Sequence, residues 1–371
     1  MTDNTWPTVD TELIDDVTLY SAKLIIPVTG PVIIDGAVAI HGDRVVHVGK
    51  RRWVLKALKQ EMTAHGTIHE RHWDGVLTPG LINAHTHLQY SGMVQVGQGT
   101  YDRFRAWELA FNEVYAEAQK TQPWKQWAED GARQMVESGT TAAADIVTDL
   151  DAAGALASQG MHGIAYWEVM GWHNAEWMEK GRTELIRQLR RMNEEQLPNL
   201  GISPHAPYTL ESEPFVDLPD IARQLNMRLH IHLAETPLEA GTYPPVLTTY
   251  SAADWSDHDW ESYRQLKEVG KGASAIQFVD QLGSLGPDVH IAHGVWANGE
   301  DRRILRQRGV GVALCPRSNR ITNTGKDAPV REYLEEGNLV SVGTDSLSST
   351  PTLDLLDDVS MLYDLAREQG Y

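Results

Sequence analysis

A chain of 371 residues, 42% hydrophobic and 22% charged, carries enough apolar material for a large globular core and reads as one large domain with a smaller one. Lysine and arginine number 32 against 51 aspartates and glutamates, a net charge of −19, which argues against a nucleic-acid partner and against an anionic membrane surface. One cysteine, Cys315, leaves no partner for an intrachain disulfide. The N-terminus lacks a basic-then-apolar leader pattern and no apolar run reaches the ~20 residues of a membrane span, so a soluble cytoplasmic protein is expected.

The first predicted element is a small β unit. "VTLYSAKLIIPVTGPVIIDGAVAIHGDRVVHVGK" has short β-branched runs broken by Gly-Pro, Asp-Gly and Gly-Asp, which are strand and turn signals. Residues 17 to about 75 are therefore expected to form an antiparallel β unit, with residues 1–75 as a small domain. From residue 76 the pattern changes to short apolar strands alternating with longer helical stretches, the signature of parallel β/α units. Eight strands are expected: "GVLTPGLINAH", "TTAAADIV", "GIAYWEV", "NLGISPHA", "RLHIHLAE", "DVHIAHG", "GVGVALCP" and "NLVSVGTD". Helices are expected over "TELIRQLRRMNEEQL", "EDRRILRQRG" and "TLDLLDDVSMLYDLAREQ". Eight strand–helix units predict an α/β fold of the (β/α)8 TIM-barrel type over residues 76–371. One connection, residues 236–273, is too long for an ordinary loop and is either a lid or binding loop or an idle surface insertion.

In such a barrel the chemistry sits at the C-terminal ends of the strands. Those ends carry His85 and His87 on strand one, Glu168 on strand three and His205 on strand four. His232 and Glu235 follow on strand five, His293 on strand six and Asp345 on strand eight. Side chains two apart on a strand share a face, so His85 and His87 both aim into the barrel mouth. Neutral imidazole is a common zinc ligand, and a catalytic zinc keeps one position open. A third histidine from strand five and a carboxylate from strand eight would complete a usable set. His230 shares the face of His232 one layer deeper and reads as a satisfied core histidine.

Taken in order, "PGLINAHTHL", "SPHAPYT", "HLAET", "IAHG" and "GTDS" resemble the metal-dependent amidohydrolase superfamily. They are most similar to its mononuclear branch, which includes methylthioadenosine/S-adenosylhomocysteine deaminases, aminodeoxyfutalosine deaminases and triazine hydrolases. The resemblance implies that His85, His87, His232 and Asp345 hold one divalent metal ion, Zn2+ in most members and Fe2+ in some. It implies Glu235 as proton shuttle, His293 as the group positioning the attacking water, and a catalytic part for Asp345. It also implies His205 as a substrate contact. The implied activity is hydrolytic release of ammonia from a small-molecule aminated heterocycle, purine nucleoside-like. The alternatives are dechlorination or amide hydrolysis at the same site and, more distantly, a non-catalytic scaffold. Binuclear relatives carry a carboxylated lysine on strand four, and "NLGISPHAPY" has none. The other zinc deaminase class needs P-C-x-x-C, which one cysteine excludes.

Three further readings remain open. Arg317, in "CPRSNR", either binds a polar or anionic part of the substrate or pairs with acidic surface groups. Glu168, in "YWEVMGW", either touches substrate or pairs with an arginine inside the barrel. Trp107, Trp172 and Trp296 stand near strand ends, where they either stack on a flat heterocycle or pack as ordinary core. Relatives of this kind continue past the last helix with strands that complete the small domain. That half is absent from this sequence, so either the sequence is truncated or a partial β-sandwich stands alone with unpaired edges, open to association as a homo-oligomer.

Overall fold

The computed structural model describes residues 13–194, 197, 199–241, 266 and 269–371. Most of the long 236–273 connection lies outside the described residues. The chain divides into two compact units, Met1–Gly80 and Leu81–Tyr371.

The first unit holds four strands, β1 (Ile14–Ile25), β2 (Ile33–His41), β3 (Arg44–Lys50) and β4 (Met62–Leu77), in the order β3-β2-β1-β4. Gly42 turns the β2–β3 hairpin with a φ of 58°, a left-handed conformation that glycine adopts without strain. β1–β2 and β2–β3 are antiparallel, but β1–β4 is parallel, which corrects the expectation of an antiparallel unit. The reason is a helix at Arg51–Glu61 that carries the chain back before β4 begins, since parallel neighbours need a crossover. Val54 and Leu58, four residues apart on one helix face, join Val17, Leu19, Ala37 and Ala39 in a small buried core.

The second unit is the TIM barrel. Its strands are β5 (Leu81–Thr86), β6 (Thr140–Val147), β7 (His162–Val169), β8 (Leu200–Pro204), β9 (Arg228–Leu233), β10 (Val289–His293), β11 (Gly311–Leu314) and β12 (Leu339–Val342). All are parallel and follow one another in sequence order. The eight expected strands are present, with one boundary corrected: Gly75–Leu77 belongs to β4, and Thr78-Pro79-Gly80 precedes the first barrel strand. The expected helices lie at Arg182–Glu194, Gly299–Arg308 and Leu355–Glu368.

β5 and β12, the two ends of the sheet order, share no strand ladder, and side chains and single backbone bonds join them instead. Asn83 donates from Nδ2 to Thr344 Oγ1 at 2.7 Å and accepts from Thr344 N–H at 3.1 Å. Asp345 N–H donates to His85 C=O at 2.9 Å, and Thr86 Oγ1 donates to Asp345 C=O at 3.0 Å. Gly343 permits this approach: a Cβ there would stand 2.8 Å from His85 Cβ and 2.9 Å from Cys315 Sγ. The first and last strands thus present His85 and Asp345 side by side.

Candidate metal centre and active site

Each site residue leaves its strand at the same end of the barrel. His85 is inside β5 and His87 just past it; Glu168 is the penultimate residue of β7; His205 follows β8. His232 is inside β9 with Glu235 two residues beyond it, His293 ends β10, and Asp345 lies three residues past β12. Apart from the half-buried His205, all are buried.

The distances test whether these groups fit an ion. His87 Nε2 and His232 Nε2 face each other at 3.2 Å. Tetrahedral zinc with N ligands at ~2.05 Å sets ligand nitrogens about 3.3 Å apart, so this pair spans the right gap. Asp345 Oδ1 stands 3.7 Å from His85 Nε2 and 3.6 Å from His87 Nε2. The rings of His85 and His232 lie 4.8 Å apart. Both ring nitrogens of His85 and Nδ1 of His87 are buried without a hydrogen-bond partner. Buried polar atoms are nearly always satisfied. Orphaned nitrogens converging with a carboxylate are what a divalent cation would satisfy, and the residues fit the group.

Burial among neighbouring histidines drives the imidazoles toward their neutral, ligating form. His85 and His232 lie well below the ordinary histidine range, and His293 is lowered. His87 falls to about 4 and His205 to about 3. The same burial, with the Asp345 charge beside them, pushes the carboxyls of Glu168 and Glu235 up to about 8.

Two sets of neighbours hold the reactive groups. The first comes from the helix Pro316–Ile321, which follows β11. Ser318 Oγ donates to Asp345 Oδ2 at 2.7 Å, and Asn319 Oδ1 lies 3.0 Å from His293 Nδ1. Asn319 thereby fixes the tautomer of His293, leaving Nε2 to face Glu235 Oε1 at 3.5 Å. The second is Glu239. Its carboxylate accepts the backbone N–H groups of Ala234 and Glu235 at 2.9 Å and of Thr236 at 3.0 Å. Ala234, His293 and Asp345 adopt left-handed backbone, with φ of 55°, 73° and 62°. Such strain persists only where surrounding bonds over-determine it, and it concentrates at functional sites.

The groups open onto a cavity of about 740 Å³, within the ~300–1,000 Å³ of small-molecule sites. His205 and Glu168 line it, with Tyr208, whose hydroxyl donates to Glu235 Oε2 at 3.3 Å. Of the three tryptophans near strand ends, Trp107 and Trp172 line the cavity, where Trp167 and Trp177 join them. Trp296 does not; its Nε1–H is tied to Thr324 C=O at 2.8 Å. No arginine pairs with Glu168 among the described residues, so the ion-pair reading of that carboxyl is set aside. Arg317 is corrected from a substrate contact to a structural group. Its guanidinium donates to Asp358 at 2.7 and 3.0 Å, to Asp357 at 2.9 Å and to Thr352 Oγ1 at 2.7 Å, and it does not line the cavity.

Sequence reasoning named no role for Ser318, Asn319, Tyr208 or Glu239. Glu239 had a readable signal: Thr236-Pro-Leu-Glu239 has the T-x-x-E form of a capping box, which places a carboxylate on backbone N–H groups.

A model of the amidohydrolase family matches residues 76–243 and 246–371. The 5-methylthioadenosine/S-adenosylhomocysteine deaminase of Moorella thermoacetica is 30% identical over 344 residues, covering 90% of this chain and 70% of that protein. The 5'-deoxyadenosine deaminase of Methanopyrus kandleri is 30% identical over 292 residues, covering 77% of this chain and 61% of its own length. The chain therefore spans 61% to 70% of these two curated relatives. A crystal structure of an adenosine deaminase from Xanthomonas campestris with bound zinc is 22% identical. It aligns with a TM-score of 0.72, covering 96% of this chain and 75% of that one, a likeness of fold. No helix among the described residues is long and apolar enough to cross a membrane.

Proposed function

The chain belongs to the amidohydrolase family, and from that premise we propose that it is a hydrolase releasing ammonia from an aminated, purine nucleoside-like heterocycle. The names of its relatives support the substrate class. The observation that carries the reading is the placement of Glu235. This buried carboxyl, which burial keeps protonated up to about pH 8, stands 3.5 Å from His293 and borders the cavity beside Asp345.

His85, His87, His232 and Asp345 would hold one divalent ion, which we take to be zinc. When bound, the ion supplies a Lewis acid that makes water a nucleophile at neutral pH. The rest is done by side chains. Asp345 accepts the proton that the attacking water gives up. Glu235 delivers a proton to the ring nitrogen next to the reacting carbon, so negative charge does not accumulate on the ring. His293, its Nδ1–H held by Asn319, turns an unprotonated Nε2 to the site, which accepts a hydrogen bond from the attacking water and positions it. A C–O bond forms, the exocyclic C–N bond breaks, and the amine leaves as ammonia after taking up a proton. His205 and Glu168 line the cavity beside His232, where they would face the substrate. A nucleoside-like substrate and a single unpaired thiol support a cytoplasmic setting.

The test is ammonia release over a panel of adenosine-like, guanine-like and chlorinated triazine compounds, using chain stripped of metal and reloaded with zinc or iron. Turnover of an adenosine-like compound is expected, with a fall of about 10²–10⁴-fold in kcat for Glu235→Gln. Chloride release without ammonia would move the activity to dechlorination. A chain that binds no divalent metal, or one fully active as Asp345→Asn, overturns the reading.

A further inference from the structure

His232 faces two ways. Its Nε2 meets His87 Nε2 at 3.2 Å, on the side of the ligand set. Its Nδ1 points the other way, toward Glu168 Oε1 at 3.8 Å. Both Nδ1 and Oε1 are buried without a hydrogen-bond partner, and the Glu168 side chain is only 3% exposed. The distance is about 0.8–1 Å longer than a hydrogen bond and too short to admit a bridging water. Each orphan therefore offers what the other lacks, an acceptor oxygen facing a ring N–H. An imidazole that gives Nε2 to an ion must carry its proton on Nδ1, and a buried N–H without an acceptor costs ~1–3 kcal/mol.

We infer that Glu168 is a positioning residue for the metal centre: its carboxyl takes the Nδ1 proton of His232 in a hydrogen bond and so fixes the tautomer and ring orientation of that ligand. The inference rests on the proposed ligand set, and it gives Glu168 a part separate from contact with substrate. The neighbouring side chains favour it. His205 Nδ1 is occupied by Thr209 Oγ1 at 2.8 Å, and His230 Nε2 is engaged with the Ala84 carbonyl at 3.0 Å. Glu168, on β7, reaches β9 across the barrel mouth. The two strands do not pair, so this contact ties together parts of the site that the sheet ladder leaves independent. A carboxylate behind a ligating histidine raises its basicity and commonly changes metal affinity or activity by ~10–100-fold when removed.

The deciding measurement is zinc affinity of the full chain, by competition against a chromogenic chelator without substrate. Glu168→Ala is expected to weaken zinc binding by ~10–100-fold relative to wild type. Glu168→Gln, whose side-chain oxygen still accepts the Nδ1 proton, is expected to recover most of that loss. In a double-variant cycle with His232→Ala, the Glu168→Ala effect should vanish. Zinc affinity unchanged within twofold in Glu168→Ala, with KM alone rising, overturns the inference and leaves Glu168 a substrate contact. If Glu168→Ala does not fold, the Gln variant decides: zinc binding as weak as in His232→Ala refutes the role of the accepting oxygen. Failure of wild-type chain to bind zinc at all would instead fault the proposed ligand set, so the two failures are distinguishable.

Discussion

Glu239 does no chemistry, yet removing it should cripple the site. Its carboxylate is fully buried and accepts three consecutive backbone N–H groups, of Ala234, Glu235 and Thr236, at 2.9, 2.9 and 3.0 Å. Those residues follow β9 and carry the chain through the left-handed turn at Ala234. Glu239→Ala leaves three buried donors without an acceptor, each worth ~1–3 kcal/mol. A water entering the space would answer one of them and leave two, at ~1.5–2 kcal/mol each. The expected loss is about 3–4 kcal/mol, a large share of the ~5–15 kcal/mol that holds a typical domain together. Activity should fall by more than stability explains, because Glu235 hangs from the middle of the turn and a ~1 Å misplacement of a catalytic group costs ~10²-fold. Glu239→Gln should rescue less than half of the loss, since its amide NH₂ would face backbone donors. The assays are urea denaturation of metal-loaded chain and kcat for ammonia release. A loss below ~1 kcal/mol with unchanged kcat would show that the turn stands without the carboxylate, and the argument from orphaned donors would fail.

Two further outcomes follow from the charges. Arg317→Gln strips the cation from Asp358, whose side chain is 0% exposed, and breaking a buried pair from one side costs ~3–5 kcal/mol; stability should drop while zinc affinity and KM hold, and a raised KM at full stability would return Arg317 to the substrate site. Metal-free chain should show two distinct limbs in stability against pH, followed by chemical denaturation. His87 and His205 are lowered to about 4 and 3, so between those values and ~6.5 the unfolded chain binds more protons and stability is lost as pH falls. Glu168 and Glu235 are raised to about 8, so from ~4.5 to 8 the folded chain binds more protons and stability is lost as pH rises. Asp145 and Glu239, raised to about 8 and 7, add to the carboxyl limb, and His290 and Glu70, lowered to about 4 and 2, add to the acid limb, which puts the optimum between ~4.5 and ~6.5; stability that keeps rising from pH 6.5 to 8 would contradict the carboxyl assignment.

What the sequence makes legible is what repeats or alternates. Each barrel strand is a short apolar run ending in a polar group, so "RLHIHLAE" and "DVHIAHG" declare both strand and site at once. The same-face rule brings His85 and His87 together without any structure. The helix Arg51–Glu61 is harder to read. Only Val54 and Leu58 are fully buried on it, and its flanks look like the β-rich segments on either side. The parallel pairing of β4 depends on that helix, so missing the one meant missing the other. Ser318, Asn319 and Tyr208 illustrate a different limit. Each reaches a site residue across 26 or 27 positions of chain, and no local periodicity encodes such a contact. Arg317 sits beside Ser318 and Asn319 in sequence, yet points to the helix Leu355–Glu368 rather than into the cavity. Adjacency in a motif says little about direction once the backbone enters a helix.

The electrostatics of the site form one argument. Three imidazoles held neutral by burial and one carboxylate bring a single formal charge to a divalent ion, so a bound ion would leave positive charge in a low-dielectric space. The groups placed to answer it are Glu168 and Glu235, the two carboxyls that burial keeps protonated to about pH 8 in the metal-free chain. A cation among the histidines pulls both toward ionisation. Glu235 is thereby drawn toward neutrality on the pH scale, where a group that must give and recover a proton in each cycle works best. Glu168 gains a stronger acceptor oxygen for the proton on His232. The burial that makes the histidines ligands thus sets the starting point from which the ion tunes both acids, and the fold achieves this by putting every one of these groups at the same end of the barrel.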